Sequence, residues 1–223
     1  MTLRSFLLAS SLVLVALPAV SDQALDPANF TTAVTNPWLP LTPGTVMNYS
    51  GNLKGSPAGL TVTVTDKTRK IAGVECLVVE ELVSQGGGPT DRTIAYYAQD
   101  RAGNVWYFGE DVQELAKNGD VAKVEGWKTG IDGAIPSLVV EATPVKGHTL
   151  VNTYTNDHSE VVSLSKPVKT PSGTYPDALQ TKEWTPDEPN VLANKFYVQG
   201  IGLVREVVVQ GDPEEFILIE VLK

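Results

Sequence analysis

From residue 44 onward, apolar and polar side chains alternate in short runs, and a period of two predicts β-strands rather than helices. The clearest run is LTVTVTD, which sets Leu60, Val62 and Val64 on one face and Thr61, Thr63 and Thr65 on the other. That is the pattern of a half-buried antiparallel strand. Further strands are expected at 45–51, 74–83, 92–99, 104–110, 121–127, 149–155, 160–165, 178–184, 194–199, 203–210 and 215–222. Short strands separated by regular turn signals argue for an all-β meander. Helical spacing occurs only in DPANFTTAV, where Asp26 is a candidate N-cap and Pro27 fits the first helical position before NPWLPLTPG ends the segment.

Two strands are apolar on both sides. In NVWYFGE, Val105 and Tyr107 oppose Trp106 and Phe108, and in EFILIEVLK, Phe216 and Leu218 oppose Ile217, Ile219 and Val221. Such strands are central in a packed core or line an internal cavity. The pattern also repeats. At a constant offset of 100, Val62 falls on Val162, Gly73 on Gly173, Tyr96 on Phe196, Tyr97 on Tyr197 and Gln99 on Gln199. One residue is then lost, and Gly103 meets Gly202. Segments 44–110 and 148–210 therefore read as related meanders, each needing a partner for its apolar face. Together they would continue into one curved sheet, as a half-barrel, or face each other as a barrel or sandwich.

The first residues are set apart. Arg4, the apolar run from Phe6 to Leu17 and the small residues Ala19 and Ser21 make a secretory signal peptide over 1–21 with cleavage before Asp22. Its apolar core is too short to span a bilayer, and no later segment is long and apolar enough to do so. The expected mature domain, 22–223, is exported to the periplasm or the medium. Without Arg4, 16 of the 17 basic residues remain against 26 acidic ones, a net charge of −10. That balance repels phosphate backbones and makes nucleic acid an unsuitable partner. Cys76 is the sole cysteine, in phase with Val74 and Val78, so no internal disulfide forms and a buried, inert thiol is expected.

Candidate chemistry is sparse. The two histidines, His148 and His158, have no zinc-ligand spacing and no serine motif to serve. QGGGPT joins two strands, so it is a hairpin loop rather than a phosphate cradle. Carboxylates remain: Glu110, Asp111, Asp157 and Glu160 are the candidates for acid–base work, and Asp111, Asp132, Asp157 and Glu160 for an oxygen-ligated calcium ion. None has the spacing of an EF-hand loop, so no cofactor is expected, and at this net charge solvated acidic loops are the favoured reading. Aromatic residues gather in the strand motifs. Tyr97, Trp106, Tyr107, Trp127, Trp184 and Tyr197 are candidates for a site that stacks an apolar face and orients a polar group, or simply for a β core.

The segments YYAQDRAGNVWYFGED, GWKTGIDGA and KEWTP, with KFYVQGIGLVRE after them, resemble the motifs of an uncharacterised family of secreted bacterial β-rich proteins, over nearly the whole mature chain. KFYVQGIGLVRE also resembles the final hairpin of periplasmic half-barrels of the lipoprotein-carrier type. These resemblances imply export, a bacterial source and a curved antiparallel sheet; they supply no catalytic residues. The expectation is a single-domain binding or carrier protein for an apolar or amphipathic small molecule. The alternatives are a secreted, carboxylate-dependent enzyme acting on glycan and a structural envelope protein using an exposed sheet edge. A cavity distinguishes them: apolar for carriage, a cleft of converging carboxylates for catalysis, a filled core for a structural role.

Overall fold

The computed structural model describes residues 25–223, so the leader and its cleavage site lie outside the described residues. Fourteen strands form one curved antiparallel sheet that is not closed, as expected for an open half-barrel. The first meander comprises β2 (Val46–Leu53), β3 (Ser56–Ile71), β4 (Val74–Gln85), β5 (Gly88–Asp100), β6 (Val105–Leu115) and β7 (Val121–Lys128). The second comprises β9 (Thr149–Asn152), β10 (Asp157–Thr170), β11 (Gly173–Trp184), β12 (Leu192–Val198), β13 (Gly202–Gln210) and β14 (Glu214–Leu222). Strand order across the sheet is 7-6-5-4-3-2-14-13-12-11-10-9. Each meander follows chain order, and the two meet where β2 pairs with β14. Tyr97 lies in β5 and Tyr197 in β12, each in the strand before a tight turn.

The first meander is built of tight hairpins. Leu53 pairs with Ser56, Ile71 with Val74 and Gln85 with Gly88, leaving two-residue loops. Lys54-Gly55, Ala72-Gly73 and Gly86-Gly87 all have positive φ, the backbone that two-residue hairpins need to match strand twist. At the seam the constraint is different. Gly51 pairs with Phe216, and a Cβ on Gly51 would lie 1.6 Å from the Glu215 carbonyl oxygen. Only a residue without a side chain lets β2 and β14 approach there.

Both faces of the sheet are covered along β4–β6. On the concave side the principal core includes Tyr49, Leu60, Val64, Leu77, Val79, Phe216 and Leu218. On the convex side Val74, Cys76, Val78, Tyr96, Ala98 and Phe108 pack beneath Leu25 and Phe30. Cys76 is fully buried in this second core, and burial pushes its thiol up to about 12. Native protein is expected to react with a bulky thiol reagent at least a hundred-fold more slowly than urea-unfolded protein, which a timed labelling assay reads.

Three expectations are corrected. The segment after Asp26 is one 3-10 turn, Pro27–Asn29, and not a longer helix. Asp26 does cap it, accepting from the Ala28 N–H at 3.0 Å, but Phe30–Thr31 then forms β1, paired with Asp100 and Gln99 of β5. Burying Phe30 against Trp106 and Phe108 outweighs continuing a helix. The strand EEFILIEVL is packed on one side only, since Phe216 and Leu218 are buried while Ile219 is exposed. Finally, β8 (Ser137–Val140), absent from the expected strands, pairs with Val105–Tyr107 of β6 where β7 leaves off.

The segment 34–41 folds over the concave side as a strap. Gln99 Oε1 accepts from the N–H groups of Thr35 and Asn36, both at 2.8 Å, and Asn36 Nδ2 donates to the Gly103 carbonyl at 2.8 Å. The Pro37 carbonyl accepts from the Gly200 N–H at 2.7 Å. The strap thus ties the β5–β6 turn to the β12–β13 turn, and Trp38 packs with Val140, Val161, Leu179 and Tyr197.

Candidate functional site

Beneath the strap the concave face encloses a cavity of about 240 Å³. Leu39 and Leu41 of the strap, Leu60 and Val62 of β3, Val79 of β4 and Leu203 of β13 are apolar side chains of its lining. Charged side chains share that lining: Glu81, in β4 opposite Val62, and Asp157, Glu183, Lys195, Glu206 and Glu214. Strand pairing explains the assembly. Lys195 of β12 stands opposite Glu206 of β13, and inward positions of β11 and β12 bring Glu183 beside it. Lys195 Nζ lies 2.9 Å from Glu183 Oε2 and 3.6 Å from Glu206 Oε1, with its side chain 18% exposed. Burial alone would lower the lysine's affinity for its proton, but the charges of Glu183 and Glu206 reverse this and hold it well above the ordinary value. Burial raises Asp157 to about 7 and Glu214 to about 7. Asp157 Oδ1 and Ser137 Oγ are buried without a hydrogen-bond partner, and both residues line the cavity.

The structure gathers some of the expected residues and separates others. Tyr97, Tyr107, Trp184 and Tyr197 line the cavity, with Asp157. Trp127 stands behind this wall, its ring 5.6 Å from Tyr107 and stacked at 5.5 Å on Tyr154. Trp106 is on the other face of β6, packed against Phe30 and donating from Nε1 to Asp100 Oδ2 at 2.8 Å. Glu110 faces inward but is 1% exposed and does not line the cavity; its Oε2 accepts from the Tyr107 hydroxyl at 2.7 Å. Asp111, the next residue, is turned outward by the pleat. There Lys128, Arg69 and the Tyr96 hydroxyl all contact it. Partial burial opposes ionisation of Asp111, yet the hydrogen bonds from Lys128 and Tyr96 hold its carboxyl below the ordinary value.

Glu160 pairs with Lys182 at 2.7 Å, and Asp132 is exposed in the turn before β8. The four candidate calcium ligands are therefore dispersed. Among the described residues no group of three or more His, Cys, Asp or Glu side chains is placed to hold a metal ion. Sequence reasoning passed over Glu81, Glu183, Lys195, Glu206 and Glu214. The signal was available for two of them: Glu81 is in phase with Val79 and Val83, and Lys195 with Ala193 and Tyr197, so each is a charge at an inward position.

Burial drives Glu110 up to about 8, against the hydrogen bond from Tyr107, while the charges of Glu81 and Asp157 add to the rise. The folded state then binds a proton more tightly than the unfolded chain, whose glutamates titrate near 4.5. Stability from this group is full below pH 4.5 and is lost as pH rises through about 8. Glu110→Gln keeps an acceptor for Tyr107 and removes the ionisation. The variant is expected to lie within about 1 kcal/mol of the parent near pH 5 and to exceed its stability by about 4 kcal/mol near pH 8.5, measured by urea unfolding across pH.

No family model matches the chain, and no curated protein matches it. Two solved structures are similar in shape. One is a protein inferred to be exported, with a YmcC-like fold, from Bacteroides fragilis; it is 13% identical with a TM-score of 0.47, and the match covers 83% of this chain and 99% of that one. The other is a protein inferred to be a lipoprotein, from Parabacteroides distasonis, 13% identical with a TM-score of 0.46 over 83% and 98% of the two chains. At such identity neither transfers a function. Among the described residues no helix is long and apolar enough to cross a membrane.

Proposed function

We propose that this protein is an exported carrier that holds a small amphipathic molecule in the concave cavity of its sheet. The observation that carries the reading is a cavity whose lining joins apolar side chains such as Leu60, Val62 and Leu203 to a cluster of partly buried charges around Lys195. Concave sites with mostly apolar linings and a few convergent polar groups are the usual form of small-molecule sites. The leader over 1–21 supports export to the periplasm or the medium. Glycan chemistry at Glu110 is disfavoured, because that carboxyl lies out of the cavity behind Tyr107. The same reading takes the two meanders as related halves that diverged, since charges such as Lys195 have no counterpart at Ala95.

The test is titration with an uncharged fluorescent amphiphile. Wild type is expected to bind it saturably, Val62→Trp to bind at least ten-fold more weakly because the indole fills the cavity, and Trp106→Ala to match wild type. No saturable binding by wild type, or equal binding by Val62→Trp, defeats the carrier reading.

A further inference from the structure

Within this carrier reading, we propose that the ligand's polar end is a cationic ammonium, so that the cavity selects alkylamines over alkyl carboxylates. Besides Glu81, the lining carries four carboxylates, Asp157, Glu183, Glu206 and Glu214, and a single lysine. That lysine is already engaged, lying 2.9 Å from Glu183 and 3.6 Å from Glu206. An anionic headgroup entering here finds an excess of like charge and no uncommitted cation among the lining lysines and arginines, because Lys195 is the only one of them.

Two further observations point to a polar guest, and the first of them to a donor. Asp157 Oδ1 is a buried acceptor with no close hydrogen bond, although the Thr155 hydroxyl acts on the same carboxyl. Ser137 is 6% exposed, lines the same cavity, and its Oγ, which can accept or donate, also lacks a partner. Buried polar atoms are normally satisfied, and an ammonium carries three donors and no acceptor. It would satisfy such acceptors while neutralising part of the surplus negative charge.

The cavity volume of about 240 Å³ corresponds to roughly eight groups of water size, which sets the alkyl tail near eight carbons. The probes are therefore octylamine, octanol and octanoate, titrated calorimetrically at pH 7.5 into wild type and Asp157→Asn. Octylamine is expected to bind wild type at least ten-fold more tightly than octanoate, with octanol between them. Asp157→Asn is expected to weaken octylamine at least three-fold and leave octanol unchanged, which also reports that the cavity is intact. If octanoate binds as tightly as octylamine, or if Asp157→Asn leaves their ratio unaltered, the ammonium assignment is overturned while the carrier reading stands. If none of the three binds, both are overturned.

Discussion

Gly51→Ala is expected to unfold the protein or destabilise it by about 3 kcal/mol or more, the largest effect of any single methyl group added along the central strands. A Cβ at this position would meet the Glu215 carbonyl oxygen at 1.6 Å and the carbonyl carbon at 2.7 Å. These are backbone atoms, so no side-chain rotation relieves the clash; β2 and β14 must separate. Their pairing runs from Val46↔Leu222 to Leu53↔Glu214 and, among the described residues, is the only ladder joining the two meanders across the continuous sheet. The matched control is Gly59→Ala, two strands from β14, where the nearest atom is Tyr49 O at 3.8 Å. That variant is expected to remain within about 1 kcal/mol of wild type. Urea unfolding of the two variants decides the matter: equal midpoints would show that the seam tolerates separation.

Lys195→Met is the second large effect. The lysine sits between Glu183 and Glu206, whose side chains are 14% and 16% exposed. Removing one member of a buried ion cluster leaves the others without compensation, a loss of about 3 kcal/mol near pH 8. Burial already raises Glu206 above its ordinary value and the charge of Lys195 counteracts this, so without the lysine the carboxyl rises further. A carboxyl raised in the folded state loses stability as pH increases from the ordinary glutamate range upward. The deficit of Lys195→Met relative to wild type is therefore expected to shrink toward pH 5 and grow toward pH 8. Adding Glu206→Gln to Lys195→Met should recover more than half of the loss at pH 8. A deficit independent of pH, with no recovery in the double variant, would assign the loss to packing of the lysine's methylene stem.

Period-two alternation made the sheet legible, because antiparallel strands with a solvated side write their burial directly into the chain. LTVTVTD lies within β3 and VECLVVEELV within β4, and the phase that set Cys76 with Val74 and Val78 is the phase of the convex core. The same rule separates neighbours but missorts the candidate site. A strand cannot deliver both Glu110 and Asp111, or both Trp106 and Tyr107, to one face, and strict alternation would group Asp111 with Tyr107. A register shift opposite Ala95–Tyr97 reverses the phase after Tyr107, so Glu110 and Tyr107 point inward together. Less of the site was visible because it is made by distant pairing. Nothing local in ANKFYVQ tells that Lys195 stands against Glu206, or that Asp157 and Ser137 open onto the same space. β8 was hidden because SLVV is four residues long and sits among turn residues. The 3-10 turn stayed short because tertiary contacts of Phe30 outweighed a capping signal.

The seam between β2 and β14 also sets the timing of folding. Its partners lie at positions 46 and 222, a separation of 176 residues, whereas the hairpins on either side close through loops of a few residues. Hairpins form in about 1–10 μs, but long-range pairing must first overcome the entropy of closing a long loop and is slow. A chain emerging amino end first can assemble β2 to β7 while β2 still lacks its neighbour. Until residues 214–222 arrive, that edge displays unpaired backbone N–H and C=O groups, a template on which another chain can add a strand. The interval between synthesis of β2 and arrival of β14 is thus the period in which this edge stands open to pairing with another chain.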